Sequence, residues 1–227
     1  MKINLTSKPK GAVILEGFPG FGFVSNIAVE FLIEHLGAVQ IGEFEYDELP
    51  ATVAIHEKKL VNPMAVFYIQ KYNLVVLHTL LNVKGQEWKI AECILQMAKD
   101  LETKEIISLE GVASEEETPQ AYYHGNSKFE QAGAKPVEEC VVLGVSAALM
   151  LRHPNVSCLF VNAHSNLPDS GAAAKLIEVL NKYFGMNLDT KPLLKQAEAF
   201  ERKIHRILHE SEKTQTELDK KGMSYLG

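Results

Sequence analysis

The stretch Gly11-Ala12-Val13-Ile14-Leu15-Glu16-Gly17, followed by Phe18-Pro19-Gly20-Phe21-Gly22-Phe23, decides the fold of this 227-residue chain. A short apolar run that ends at a glycine is typical of a buried strand. The glycines and proline that follow predict a tight loop. Beyond the loop, Ser25-Asn26 predicts a helix cap, and apolar residues then recur at helical spacing up to Gly37. We therefore predict a strand, a glycine-rich loop and a helix.

Strands and helices alternate along the rest of the first 190 residues. Apolar, β-branched runs predict strands at 39–44, 53–56, 65–69, 74–79, 105–109 and 156–161. Apolar stripes predict helices at 88–101, from the segment 141–146 to 151, and at 171–184, the last capped by Pro168-Asp169-Ser170. Surface loops are predicted at 113–119 and 122–126. This alternation predicts an α/β fold, and the helix-poor segment 39–69 favours a mixed sheet.

A coiled-coil seam follows Pro192. Its apolar residues step by 4, 3, 4 and 3 through Leu193, Ala197, Phe200, Ile204 and Ile207. A helix with such a stripe needs a partner, which is either its own domain or another subunit. We therefore predict an α/β domain over residues 1–190, an amphipathic helix over 191–220 and a flexible tail over 221–227.

Composition narrows the classes of function. The 23 basic and 29 acidic residues give a net charge of −6, which does not suit general binding to nucleic acid or to an anionic membrane. No apolar run reaches the ~18 residues of a membrane span, and no signal peptide is evident. The three cysteines are far apart, as expected of buried thiols in a reducing cytoplasm. No CxxC spacing occurs, and we predict neither a metal site nor a cofactor.

The glycine loop is the sharpest local motif. Gly17, Gly20 and Gly22 lie between a strand and a helix, where backbone N–H groups can cradle a phosphate. The spacing G-x-x-G-x-G is neither that of a dinucleotide-binding loop nor that of a Walker loop. Three phenylalanines in the loop suit packing or a protein contact better than a polar pocket. We favour a tight turn and keep an anion site as the alternative.

A nucleophilic catalytic site has weak support. Candidate bases are His56, His78, His124, His153 and His164. Ser146 and Ser165 are candidate nucleophiles, but Ser146 lacks the second glycine of a G-x-S-x-G elbow. Asp169 lies five residues after His164 and could orient it. Because structural histidines and a helix cap explain these residues better than a triad does, we predict no catalytic residue.

Three segments occur together in a specific order. The first is Glu16–Ala28 with the later Glu48-Leu49-Pro50, the second is Gly144–Leu149, and the third is Leu167–Asn181, which leads towards Leu188-Asp189. Over about residues 10–207, their order and spacing resemble the proteasome assembly chaperone PAC2 family in its archaeal and bacterial branch.

The resemblance implies a three-layer α/β sandwich around a mixed sheet, similar to the purine nucleoside phosphorylase type, with a long C-terminal helix. It implies a non-enzymatic, homo-oligomeric assembly chaperone or adaptor, whose partners are proteasome α-subunits or another assembly factor. Some family members dock a tail with a penultimate tyrosine between α-subunits. Here Tyr225 is third from the end and Leu226 is penultimate. Met223, Tyr225 and Leu226 are nevertheless the predicted protein-binding residues.

Two alternatives remain open at this point. One is a small-molecule or anion-binding protein, or an enzyme of phosphorylase or hydrolase type, that uses the Gly17–Gly22 loop. The other is an assembly module unrelated to proteasomes and built on the seam after Pro192.

Overall fold

The computed structural model describes residues 1–56, 58–114, 116, 118–163 and 167–193. Its strands are β1 (Lys2–Leu5), β2 (Val13–Glu16), β3 (Val39–Glu45), β4 (Ala54–His56), β5 (Lys59–Val61), β6 (Met64–Ile69), β7 (Leu74–Thr79), β8 (Glu105–Ala113), β9 (Ala121–His124), β10 (Lys135–Pro136) and β11 (Val156–Ala163). Its α-helices are α1 (Val24–His35), α2 (Glu87–Asp100), α3 (Lys128–Gln131), α4 (Gly144–Arg152) and α5 (Ser170–Phe184), with 3-10 turns at Phe21–Phe23 and Gln70–Tyr72.

A mixed nine-stranded sheet, ordered β1-β3-β6-β7-β2-β8-β11-β9-β10, forms the centre of the described chain. Strands β7, β2, β8 and β11 run parallel, whereas β1, β3 and β6 continue the sheet by antiparallel pairing. The parallel strands read as continuous apolar runs because both of their faces are covered. The prediction of a mixed α/β sheet is confirmed, and the antiparallel pairs account for the helix-poor segment 39–69.

Helices cover both faces of the sheet. Apolar residues of α1 and α5 pack on one face together with Leu15, while those of α2 and α4 pack on the other together with Ile14. Neighbouring residues of β2 thus face opposite cores, as the two-residue period of a strand requires. At the start of α5, the Asp169 side chain accepts a 2.8 Å hydrogen bond from the Ala172 N–H group, so the predicted cap is confirmed.

Three local predictions are wrong. Of the three thiols predicted to be buried, only Cys158 is buried, whereas Cys93 is half-buried and Cys140 is exposed. The segment 122–126, predicted to be a surface loop, begins within β9, which pairs antiparallel with β11 and leaves Tyr123 only 8% exposed. Its Ala121 and Tyr123 alternate with less buried residues, and this pattern was too short to stand out from a loop. Ser25-Asn26 also does not cap α1, because the helix begins at Val24 and no side chain caps it.

Most of the C-terminal predictions lie outside the described residues. Leu193 is described, and it is buried against the core formed with α1 and α5. The other seam residues and the tail at Met223, Tyr225 and Leu226 fall outside, so the long helix and the domain bounds after 190 stay predictions, as does the likeness to purine nucleoside phosphorylases. None of the helices in the described ranges has the length and hydropathy that a membrane crossing requires.

Candidate functional site

A buried polar cluster lies where β2 and β8 approach the glycine loop. Glu16 ends β2 and is paired in register with Ser108 of β8, and Glu110 follows two residues later on the same face of the sheet. Ser146, in the first turn of α4, completes the cluster from above the sheet. Glu16, Ser108 and Ser146 are each at most 1% exposed. The carboxyl ends of parallel strands, where ligand sites of α/β proteins usually form, are here filled by the protein's own side chains.

The four side chains form one chain of hydrogen bonds in the order Glu16, Ser108, Ser146, Glu110. Glu16 and Ser108 are in contact through Oε2 and Oγ, the two serine Oγ atoms are 2.6 Å apart, and Ser146 contacts Glu110 Oε1. These three short links between oxygens need three hydrogens, and the two hydroxyl groups supply only two. The fourth contact, 3.5 Å from Ser146 Oγ to Glu16 Oε2, supplies no further hydrogen. One of the carboxyl groups must therefore be protonated when the chain is complete, and the hydroxyl groups can turn to suit a proton at either end.

Electrostatics agrees with this hydrogen count. Burial raises the pKa of Glu16 to about 7, against the opposing effect of hydrogen bonds from Ser108, the Phe18 N–H group and Ser146. Burial, and then the charge of Glu16, raises the pKa of Glu110 to about 8, against the hydrogen bond from Ser146. Burial and these two acids also raise the pKa of the Cys158 thiol. Two acids without a compensating cation favour a shared proton.

The glycine loop is packed directly on this cluster. A Cβ atom on Gly20 would lie 2.7 Å from Glu110 Oε2, and one on Gly111 would lie 2.0 Å from the Phe21 carbonyl oxygen. The Phe18 N–H group donates to Glu16 Oε1 at 3.0 Å, and Ser25 Oγ donates to the Phe18 carbonyl at 2.7 Å. Close approach of backbone to the acids thus explains much of the glycine pattern and supports the interpretation as a tight turn.

The other predicted site residues are dispersed. Ser146 contacts acids and a serine, and it is fully buried, which does not suit a nucleophile that must meet a substrate. His78 Nε2 lies 2.6 Å from Glu30 Oε2, and Asp169 caps α5, while His164 and Ser165 fall outside the described residues.

The described ranges contain no group of three or more metal-ligating side chains. The sequence does hold a metal-ligand spacing that the prediction of no metal site overlooks. His205 and His209 are four residues apart, and both lie outside the described residues.

Comparison with known proteins identifies the family. The family model of PAC2 matches residues 14–208. This span contains Glu16, Ser108, Glu110 and Ser146, the four hydrogen-bonded residues of the polar cluster. The chain belongs to the PAC2 family. It is 26% identical to the uncharacterised protein MJ0106 of Methanocaldococcus jannaschii over 222 residues, which cover 94% of this chain and 92% of that protein.

Solved structures agree with the PAC2 assignment. Pyrococcus furiosus PbaA, described as an archaeal homologue of a proteasome-assembly chaperone, matches with 26% identity and a TM-score of 0.81, over 94% of this chain and 99% of PbaA. Pyrococcus furiosus PbaB, described as an archaeal proteasome activator, matches with 18% identity and a TM-score of 0.74, over 91% of this chain and 98% of PbaB. At that identity, the likeness to PbaB is one of fold.

This PAC2-family chain also exposes large apolar side chains in two places. Leu143, just before α4, and Leu151, near the end of α4, are both 74% exposed. Ile55 and Leu60 are paired across the β4–β5 hairpin and are also exposed. Grouped apolar side chains on a surface are typical of protein contacts.

Sequence reasoning missed Glu16, Ser108 and Glu110 as a group. Each acid ends an apolar run and is followed by glycine, as Glu16-Gly17 and Glu110-Gly111. Two such Glu-Gly pairs at the ends of predicted parallel strands would have indicated buried acids beneath a closely packed loop. The serine between them on α4 carried no comparable signal.

Proposed function

We propose that this PAC2-family protein is a non-enzymatic, homo-oligomeric proteasome assembly chaperone-like protein or proteasome adaptor that acts by binding other proteins. The observation that carries the proposal is the match to PbaA, which extends over nearly the whole of both chains. Its partners are proteasome α-subunits or another assembly factor, and its location is the cytoplasm.

The surface of the domain supports a binding role. Of the acids and serines in the cluster, Glu16, Ser108 and Ser146 are buried beneath the glycine loop and α4, and Glu110 is partly exposed. The exposed leucines of the α4 region and the exposed pair on the β4–β5 hairpin offer apolar contact area instead. Protein binding requires exposed side chains such as these, and the role of the acids in the cluster is to hold the fold together.

The C-terminal segment supplies the remaining contacts in this proposal. The seam Leu193, Ala197, Phe200, Ile204 and Ile207 packs on the domain or between subunits. Met223, Tyr225 and Leu226 bind the partner, with the aromatic and aliphatic side chains in a groove and the terminal carboxylate held by a lysine or by backbone N–H groups.

Light scattering of the full chain, alone and mixed with proteasome α-subunits, tests the proposal. We expect a homo-oligomer alone and a heavier complex in the mixture, and we expect deletion of residues 223–227 to abolish only the complex. Replacing Phe200 and Ile204 with serine tests the seam separately, by its effect on the mass of the protein alone. No heavier species at micromolar concentration would remove α-subunits as direct partners.

A second candidate, an anion-binding protein that uses Gly17, Gly20 and Gly22, is favoured by one observation. Helix α1 begins after the loop without a side-chain cap, so its first N–H groups are not occupied by a capping side chain. The acids beneath the loop oppose an anion there. Thermal denaturation with phosphate, nucleosides and nucleotides tests this candidate, since a ligand at 100 times its Kd adds about 2.7 kcal/mol of stability. An unchanged melting temperature with all of them would exclude the anion site.

A further inference from the structure

We propose that the chain Glu16–Ser108–Ser146–Glu110 is a proton-dependent lock, which fixes the glycine loop and α4 to the sheet and releases both when its shared proton is lost. The inference does not depend on the proposed binding function. It rests on which elements the four side chains join and on the number of hydrogens that their contacts require.

The four residues join three separate parts of the fold. Glu16 belongs to β2 and is tied to the loop through the Phe18 N–H group at 3.0 Å. Glu110 belongs to β8 and lies against Gly20 of the same loop. Ser146 belongs to α4 and reaches both acids through Ser108 and its own contact with Glu110. Opening any link therefore loosens the loop, the start of α4, or both.

The described groups that face the acids do not include a cation. Strand β8 contributes Ser108, α4 contributes Ser146, β11 contributes the Cys158 thiol, and the loop contributes the Phe18 N–H group. Among the described residues, neither Glu16 nor Glu110 forms an ion pair, and no lysine, arginine or histidine affects their titration. A second negative charge would thus be buried without compensation, which is strongly unfavourable.

Loss of the shared proton has two effects in the same place. The chain of three links keeps only the two hydroxyl hydrogens, so one oxygen–oxygen contact becomes repulsive. Both acids are then charged, with Ser146 Oγ in contact with Glu110 and 3.5 Å from Glu16 Oε2. The structure can relieve this repulsion by letting more water reach Glu110, which is already partly exposed, and the elements that cover Glu110 are the loop at Gly20 and the first turn of α4.

Hydrogen–deuterium exchange of the full chain tests the lock, with rates corrected for the intrinsic effect of pH. We expect the protection of peptides 17–24 and 144–152 to fall roughly tenfold or more between pH 6 and pH 8, since one proton bound only by the closed state changes an equilibrium tenfold per pH unit. Helix α5 is the internal reference and should change less. Equal loss in α5, or no loss in the two peptides, overturns the proposal.

The variant Glu110→Gln separates a lock from a merely weak region. Its amide N–H group supplies the third hydrogen at every pH, so the chain can run from Gln through both serines to an ionised Glu16. We expect its protection to fall much less between pH 6 and pH 8 than that of the unchanged protein, with Glu16 as the remaining buried acid. The matched control is Glu102→Gln, which removes an exposed acid just before β8 and should behave like the unchanged protein. A pH response in Glu110→Gln as large as that of the unchanged protein contradicts the lock.

An infrared titration of the unchanged protein stands independently of any variant that fails to fold. A protonated carboxylic acid has its own C=O stretching band, which an ionised carboxylate lacks. We expect this band to persist at pH 6.5, where exposed acids are ionised, and to disappear on raising the pH through the range in which the two peptides lose protection. Absence of the band at pH 6.5 would mean that no proton is shared.

Discussion

Strand β8 carries a glutamate near each end, and the fold surrounds the two acids in opposite ways. Glu105, at the first residue of the strand, accepts hydrogen bonds from Asn126 Nδ2 at 3.0 Å, Ser157 Oγ at 2.8 Å and Tyr183 OH at 2.6 Å. Glu110, near the other end, is linked through two serines to a second buried acid. Three donors surround the single carboxylate of Glu105. At Glu110, two carboxyl groups are linked by two hydroxyl groups.

The difference lies in the balance between acids and hydrogen-bond donors. Glu105 accepts from three neutral donors and borders an open groove of about 660 Å³. At Glu110 two acids and two hydroxyl groups form three short links, and the loop and the first turn of α4 partly cover Glu110. A count of hydrogens against links, rather than burial alone, therefore distinguishes the two ends.

The largest loss of stability is expected from disrupting the close contact between the glycine loop and Gly111 of β8. In Gly111→Ala the new Cβ atom would lie 2.0 Å from the Phe21 carbonyl oxygen, so the loop must move off the sheet. We expect a loss of about 4 kcal/mol of unfolding free energy in urea denaturation. Gly171→Ala on α5 is the control, where the new atom meets nothing closer than 3.3 Å and the change should be neutral or stabilising. Equal stability of the two variants would mean that the loop does not rest on β8.

A smaller loss of stability is expected on raising the pH, and it should come from Glu16 and Glu110 and not from Glu105. The pKa of Glu16 is raised from 4.5 to about 7 and that of Glu110 to about 8, so the folded state binds more protons than the unfolded chain between these values. Stability from this source is complete below about pH 4.5 and is lost as pH rises towards 8. At about 1.4 kcal/mol per pKa unit, Glu16 alone accounts for about 3 kcal/mol.

Urea denaturation at pH 5 and pH 9 measures this loss. Glu16→Gln should have a markedly smaller difference between the two conditions, because the variant has one buried acid fewer. Glu102→Gln, exposed in an ion pair with Lys10, should keep the full difference. A pH response in Glu16→Gln as large as that of the unchanged protein would assign the effect to other groups.

The smallest effect is expected at the Glu105 end. Tyr183→Phe removes one of three donors and leaves Asn126 and Ser157 in place. We expect a loss of about 1–2 kcal/mol in urea denaturation, without a change in the pH response between pH 5 and pH 9. Tyr72→Phe, whose ring lies beneath the Lys71 ammonium group, is a matched control with little expected change. A loss as large as that in Gly111→Ala would remove the contrast between the two ends.

The sequence was sufficient for most elements and insufficient for the cluster. Strands β2, β7 and β11 are continuous apolar runs, and α2 and α5 have clear apolar stripes, so local pattern identified them. Strand β9 was missed because it is four residues long and carries two tyrosines and a histidine, which look like a surface loop until β11 lies beside them.

The site could not be predicted because its parts are far apart in the chain. Glu16 and Ser108 are 92 residues apart, and Glu16 and Ser146 are 130 apart. Each residue is unremarkable in its own segment, and only the parallel register of β2 with β8 and the position of α4 bring them together. The spacing of the glycines was visible in the sequence. Its cause is the contact of the Glu110 carboxylate with Gly20, and such a contact between distant elements cannot be recognised from local pattern.

The position of β2 in the middle of the sheet also has a consequence for how the chain folds. Val13 of β2 pairs with Leu74 of β7 and Glu105 of β8, which are 61 and 92 residues later, from 74 − 13 and 105 − 13. During synthesis the first apolar strand therefore leaves the ribosome long before either neighbour exists. Pairings this distant in sequence slow folding and leave apolar segments open to aggregation meanwhile. This protein, which we propose assists the assembly of other proteins, is therefore synthesised with its central strand β2 unpaired until β7 and β8 have also been made.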